Sequence, residues 1–128
     1  MALRNPYYAY NQYKQNDIMQ ASPEELTLML YNGAIKFVHQ AMNAIDKKEI
    51  ENAHTAIIKA GDILAELNAT LNMDYEVSKG LRSLYVYLME RLVEANIHKS
   101  KEVLEEILPF LTELRDTWKE AMALAKKK

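Results

Sequence analysis

The chain has 128 residues, a formal net charge of −2 and no cysteine, and 49% of its residues are hydrophobic. This length supports one domain with one core, and the small net charge argues against nucleic acid or an anionic membrane surface as a partner. The absence of cysteine excludes disulfides and thiol chemistry. No stretch approaches the roughly 20 apolar residues that span a bilayer, and no apolar leader opens the chain. We therefore expect a cytoplasmic protein with no direct membrane insertion.

Residues 1–21 are predicted to form a flexible, tyrosine-rich segment. Four of the eight tyrosines lie here, among Asn, Gln and Lys, without a sustained helical spacing. Such a segment cannot build a core of its own. A tyrosine can, however, bury its ring while its hydroxyl stays in water. Two interpretations stay open: a tail without function, or an extended strip that docks on an apolar surface.

The run Ser22-Pro23-Glu24-Glu25 predicts the start of the first helix. The Ser22 hydroxyl can accept a hydrogen bond from the amide three residues on, and the Glu25 carboxylate can reach back to the Ser22 amide. Pro23 takes the first helical position, where its missing N–H is no loss. Apolar residues then recur at helical spacing as far as about residue 45.

Three further helices are predicted from the same spacing of apolar residues. Their apolar stripes cover residues 50–71, 77–95 and 103–121. The fourth helix is predicted to begin near Ser100. Members of these stripes include Ile50, Val77, Phe110 and Ala121. The pair Asp46 and Glu49 has the spacing of a capping box and predicts that Asp46 caps the second helix. Pro109 lies inside the fourth helix and is expected to kink it without dividing it, because the stripe continues in phase beyond it.

The connections between these helices are short, so sequential helices should be antiparallel neighbours. The expected fold is all-α: an antiparallel up-down-up-down four-helix bundle over residues 22–128, with an extended N-terminal segment. Gly33, Gly61 and Gly80 fall inside helical patterns, where each is less favourable than alanine by about 1 kcal/mol. We expect close approach of neighbouring helices at these glycines, with room for a bound segment as the alternative.

Two helices carry more apolar residues than one seam requires. The first helix has a second row, formed by Leu28, Tyr31, Ile35, Val38 and Met42, and the third has Val86, Met89, Val93 and Ile97 beside its main stripe. One interpretation is a wide arc that contacts two neighbours in the bundle. The other is an exposed groove for a partner helix, in which flexible methionine side chains suit a partner of variable shape.

Catalytic chemistry has little support in this sequence. It contains no phosphate-binding loop and no nucleophile motif. Glu51 and His54 have the Glu-x-x-His spacing of di-iron bundles, but those sites need a second such pair. Neither His39 nor His98 has a carboxylate three residues earlier. We therefore expect no metal site, no cofactor and no enzymatic activity.

Two adjacent motifs resemble the signature of the flagellin-specific export chaperones, the FliS family. Residues 21–26 read Ala-Ser-Pro-Glu-Glu-Leu, and residues 29–35 read Met-Leu-Tyr-Asn-Gly-Ala-Ile. Residues 92–97 and 115–119 support the resemblance, as do the N-terminal tyrosines. The resemblance implies a cytosolic chaperone that binds the C-terminal helical region of flagellin and prevents its premature polymerisation. It also implies delivery of flagellin to the membrane export gate of the flagellar type III apparatus.

The resemblance further implies that the tyrosine segment folds back over the apolar surface that flagellin uses. The candidate partner-binding residues are Tyr10, Tyr13, Ile18, Leu28, Tyr31, Ile35, Met42, Val86, Met89 and Val93. Tyr10 fits both registers in which the N-terminal tyrosines match the family pattern. Without the resemblance, the first interpretation would be an adaptor or a helical partner of unrelated type.

Overall fold

The computed structural model describes residues 20–127, in which four α-helices form a bundle. The helices are α1 (Pro23–Asp46), α2 (Ile50–Ala69), α3 (Glu76–His98) and α4 (Lys101–Lys126). Both α1 and α3 pack against α2 and against α4, so the four helices form a ring around one core. This arrangement confirms the predicted four-helix bundle. None of the helices in the described range is long and apolar enough to cross a membrane.

The start of α1 has the predicted capping box. The Glu25 amide donates to the Ser22 hydroxyl at 3.1 Å, and the Ser22 amide donates to the Glu25 carboxylate at 2.9 Å. The hydrogen bonds from Ser22 hold the pKa of Glu25 below its usual value. At the other end of this helix, the prediction for Asp46 is wrong.

Asp46 is the last residue of α1 and not the cap of α2, which begins after Glu49. The chain reverses at Lys48, with φ of 62°, and the Glu49 amide donates to the Ala44 carbonyl at 2.8 Å. The Asp46 carboxylate instead accepts from Lys101 Nζ at 2.9 Å, which joins the end of α1 to the start of α4. A tertiary ion pair therefore replaces the local cap.

The core contains side chains from all four helices. It is formed by Tyr31, Ala34, Ile35, Val38, Ala41, Ala56, Ile57, Ala60, Leu64, Leu67, Tyr85, Leu88, Leu92, Ala95, Leu104, Ile107 and Leu111. Three predictions at the stripe ends are wrong, because Ile50, Val77 and Ala121 are exposed. They lie near helix termini, beyond the part of each helix that a neighbour covers. On α4, Phe110 is partly exposed, and Leu104 and Leu111 take the buried positions.

A buried hydrogen bond joins α1 to α3 across the core. The hydroxyl oxygens of Tyr31 and Tyr85 lie 2.5 Å apart, and both side chains are almost fully buried. Burial raises the pKa of both hydroxyls. The pair therefore sets the position of two diagonal helices through a polar contact inside an apolar core.

The fourth helix is continuous through Pro109, as expected. The Thr112 hydroxyl donates to the Pro109 carbonyl at 3.0 Å. Ser100 caps the helix, since its hydroxyl accepts from the Val103 amide at 3.2 Å. These local bonds, together with the buried residues on both sides of the proline, allow one helix to span the length of the bundle.

Candidate functional site

An open groove lies between α2 and α3, on the outer side of the bundle. The volume of this groove is about 610 Å³. Its floor is made by the core residues Ile57 and Leu92, and its walls by Ile58, Met89, Val93, Asn96 and Ile97. Because apolar side chains dominate the walls, the groove has the character of a surface that another apolar segment can cover.

The walls of this groove are exposed to a degree unusual for aliphatic side chains. The exposed fraction is 60% for Val93, 68% for Ile97 and 46% for Ile58. Val86, about two helical turns before Val93, is also exposed. Met89 differs, because it packs against the core while lining the groove. The exposed row on α3 therefore borders the core directly.

A polar contact crosses the groove near the C-terminal end of α3. Asn96 Nδ2 donates to His54 Nδ1 at 2.9 Å. Lys99 Nζ donates to the Asn96 carbonyl at 2.6 Å, and Lys99 itself ends the helix in the left-handed region, with φ of 48°. The other polar atom of the Asn96 side chain, Oδ1, is buried without a hydrogen-bond partner. His54 thus joins α2 to α3 through this hydrogen bond. Residues 20–127 contain no group of acidic and histidine side chains suited to a metal ion.

The three helical glycines have different surroundings. A Cβ atom built on Gly33 would lie 3.1 Å from Ile63 Cδ1, so α1 and α2 approach closely there, as predicted. At Gly61 and Gly80 a Cβ atom would meet no heavy atom within 4 Å, so close approach is the wrong explanation for both. Gly61 lines the groove. Nothing in the structure explains Gly80.

A second exposed cluster joins α3 to α4. The rings of Tyr87 and Phe110 meet edge to face, with their centroids 6.1 Å apart. The Tyr87 hydroxyl donates to Glu106 at 2.8 Å, and Arg91 donates to both oxygens of the same carboxylate at 3.0 and 3.2 Å. These bonds from Arg91 and Tyr87 lower the pKa of Glu106. With its polar groups paired within the bundle, this cluster fastens two helices and offers less open apolar surface than the groove.

The signature residues have structural roles in α1. Ser22 and Glu25 cap the helix, and Gly33 gives α2 room to approach. Asn32 accepts a hydrogen bond from Arg115 on α4 at 3.3 Å. Near the start of the helix, Trp118 Nε1 donates to the Glu24 carbonyl at 2.9 Å. The signature therefore secures α1 against α2 and α4, while the open groove lies elsewhere.

The structure separates the predicted partner-binding residues into three groups. Tyr10, Tyr13 and Ile18 lie outside the described residues. On α1, Tyr31 and Ile35 are only 4% and 8% exposed, which corrects the expectation that they line an exposed groove. Leu28 and Met42 are half-buried, and Met42 packs on the core. On α3, Val86, Met89 and Val93 lie at the surface or in the groove wall.

Among the groove residues on α2, Ile58 escaped the sequence-based prediction, whereas Gly61 was singled out with room for a bound segment as the alternative explanation. Ile58 and Gly61 belong to α2, in which a single apolar stripe was expected. The signal for Ile58 was its position directly after Ile57: adjacent residues on a helix lie roughly 100° apart, so both cannot face one seam. For Gly61, the open space beside the residue and its place on the groove wall fit the alternative of room for a bound segment.

Comparison with known proteins places the chain in one family. The family model described as "Flagellar protein FliS" matches residues 6–125. A protein of Bacillus subtilis named flagellar secretion chaperone FliS is 43% identical over 127 residues, which cover 99% of this chain and 93% of that protein. The protein of the same name from Campylobacter jejuni is 32% identical, covering 88% of this chain and 89% of that protein.

A solved structure titled "Crystal structure of flagellar chaperone from bacteria" has the same fold. It superposes with a TM-score of 0.74 at 21% identity, and the match covers 93% of this chain and 98% of that one. Sequence and fold thus agree over nearly the whole chain. The chain therefore belongs to the FliS family, which is a family of flagellar secretion chaperones and not of enzymes.

Proposed function

We propose that this protein is a cytoplasmic chaperone for flagellin. It binds the C-terminal helical region of flagellin, prevents premature polymerisation, and delivers flagellin to the membrane export gate of the flagellar type III apparatus. Family membership supports an export substrate as the partner. The open α2–α3 groove, where Val93 and Ile97 are more than half exposed, is the observation that supports a helical segment as the bound part of the partner.

The groove suits a helix that presents apolar residues at helical spacing. Val86, Met89, Val93 and Ile97 form a continuous row along α3, and Ile58 faces them from α2. Each Å² of apolar surface that a partner covers contributes about 25 cal/mol. A segment that folds on binding loses conformational entropy, so a stable complex needs contact along a long surface. Binding is therefore stoichiometric, and no chemical step follows it.

The tyrosine segment is proposed to protect this surface before flagellin arrives. Tyr10, Tyr13 and Ile18 are its anchors, since an exposed apolar groove otherwise favours self-association. The short connection to α1 gives the segment an effective concentration in the millimolar range. Flagellin displaces it because flagellin makes the larger contact, and the segment must bind weakly for this to happen.

Calorimetry with flagellin tests the proposal. We expect one-to-one binding with a large negative heat-capacity change, because apolar surface is buried and a segment becomes ordered. Flagellin that lacks its C-terminal helical residues is the matched control and should not bind. Equal binding of both forms would contradict the proposal and favour a general adaptor.

Deletion of residues 1–13 tests the role of the tyrosine segment. The bundle should stay folded, self-association should increase, and flagellin should bind with equal or higher affinity. A loss of affinity would instead show that Tyr10 and Tyr13 contact flagellin directly.

A further inference from the structure

We propose that the bound flagellin helix crosses α2 at Gly61, packing directly on the helix backbone there. This inference rests on the proposed function and makes it more specific. Gly61 would be the residue that sets the closest approach of the partner, and hence the depth at which the partner lies in the groove.

The free chain has no use for a glycine at this position. Gly61 is in the interior of α2, where alanine forms a more stable helix. No glycine among the described residues has a positive φ, so conformational freedom is not the reason. A Cβ atom at Gly61 would meet nothing within 4 Å, so packing inside the bundle is not the reason either. At Gly61 no side chain covers the helix backbone, and this position lies on the wall of an apolar groove.

The charges beside the groove indicate the chemistry of its occupant. Asp62 follows Gly61 and lines the groove. Glu90 and Glu94 lie on α3, three positions before Val93 and one position after it, just outside the groove lining. Glu94 is paired with His98 at 3.0 Å. Lys99 is the one lysine or arginine in the groove lining, which also contains His54. Carboxylates near both edges of the groove favour a partner helix with Lys or Arg beside its apolar face. The close approach at Gly61 separately favours a small residue on the partner helix at that point.

The same charges make a second copy of this chain a weaker occupant of the groove than a partner helix. In a two-fold dimer the same patch appears on both subunits. The interface would then bring together two copies of the acidic group formed by Asp62, Glu90 and Glu94, and like charges across an interface weaken association. A partner helix with Lys or Arg beside its apolar face meets no such repulsion.

The experiment compares Gly61→Ala with Gly80→Ala in the full chain. Both glycines lie inside helices with no atom near the missing Cβ, but only Gly61 lines the groove. Both variants should therefore raise the melting temperature by a similar amount. Only Gly61→Ala should weaken flagellin binding, by about tenfold, because an added methyl group separates two packed helices. Gly61→Leu should weaken binding further.

Each outcome decides between defined alternatives. Unchanged or tighter flagellin binding by Gly61→Ala overturns the inference while the proposed function stands. Equal weakening by Gly80→Ala also overturns it, since the effect would then not be specific to the groove. If Gly61→Ala changes self-association in sedimentation but not flagellin binding, the occupant is a second copy. If the unmodified chain does not bind flagellin at all, the proposed function itself fails.

Discussion

The middle of α1 and the outer face of α3 have similar sequence patterns and opposite surroundings. Each helix carries an additional apolar row beside its main stripe. On α1 that row contains Tyr31, Ile35 and Val38, all of which are buried. On α3 it contains Val86, Val93 and Ile97, all of which are exposed.

The helical positions explain the difference. Ile35 lies four residues after Tyr31 and three before Val38, so it shares a face with two buried residues. That face lies between α2 and α4, which both pack on α1. Ile97 lies four residues after Val93, and Val93 lies seven after Val86, so these three residues share a face with one another and not with Leu88 or Leu92. An excess of apolar residues thus becomes a binding surface only where no neighbouring helix covers it.

A charge placed in the α1 row should have the largest effect on stability. Ile35→Asp should destabilise the bundle by about 3–5 kcal/mol, because a buried carboxylate without a partner is strongly unfavourable. Chemical denaturation followed by circular dichroism measures the loss. A stable Ile35→Asp variant would show that this row is not core.

The equivalent change on α3 should act on binding and not on stability. Val93→Asp should leave the free energy of unfolding almost unchanged and weaken flagellin binding by well over tenfold, since a charge faces an apolar partner. Val77→Asp is the matched control, because Val77 lies on the same helix with 68% of its surface exposed and outside the groove. Equal effects of the two variants on binding would contradict the groove as the site.

The tyrosine pair marks the boundary of the core on α3. Tyr85 is buried against Tyr31, and the next residue, Val86, is exposed. Tyr31→Phe and Tyr85→Phe should each cost about 1–3 kcal/mol, because each leaves a buried hydroxyl without its partner. The double variant should be more stable than the sum of the single effects implies. Strict additivity in denaturation experiments would show that the hydroxyls do not interact.

The same pair should make the bundle sensitive to alkali. Burial raises the pKa of both tyrosines, so their contribution to stability is complete below the unfolded pKa, near 10, and declines above it. Above about pH 10 the unfolded chain releases protons that the folded chain retains, and stability falls by up to about 1.4 kcal/mol per pH unit for each group. Denaturation at several alkaline pH values should show a shallower decline for the double phenylalanine variant. Identical slopes would contradict this origin.

The carboxylate of Asp62, at the edge of the groove, should contribute only weakly to flagellin binding. Asp62→Asn should weaken flagellin binding only a few-fold, since exposed ion pairs contribute up to about 1 kcal/mol. The effect should fade as salt is added, because screening acts on exposed charges. Glu120→Asn, on the exposed face of α4, is the control and should have no effect. An effect of Asp62→Asn that persists in high salt would indicate a direct packing role instead.

Local chemistry in the sequence was sufficient to predict the helices and the cap at Ser22 and Glu25. The FliS family was indicated by the resemblance of two motifs, and the comparisons confirm it. Helix spacing and capping depend on residues within a turn or two of each other, so a sequence contains that information directly. The tertiary structure decided the rest. It paired Asp46 with Lys101, buried Ile35, left Val93 exposed and placed Gly61 on a groove wall. Each of these outcomes depends on which helix lies opposite, and helix periodicity identifies an apolar face without identifying what covers it.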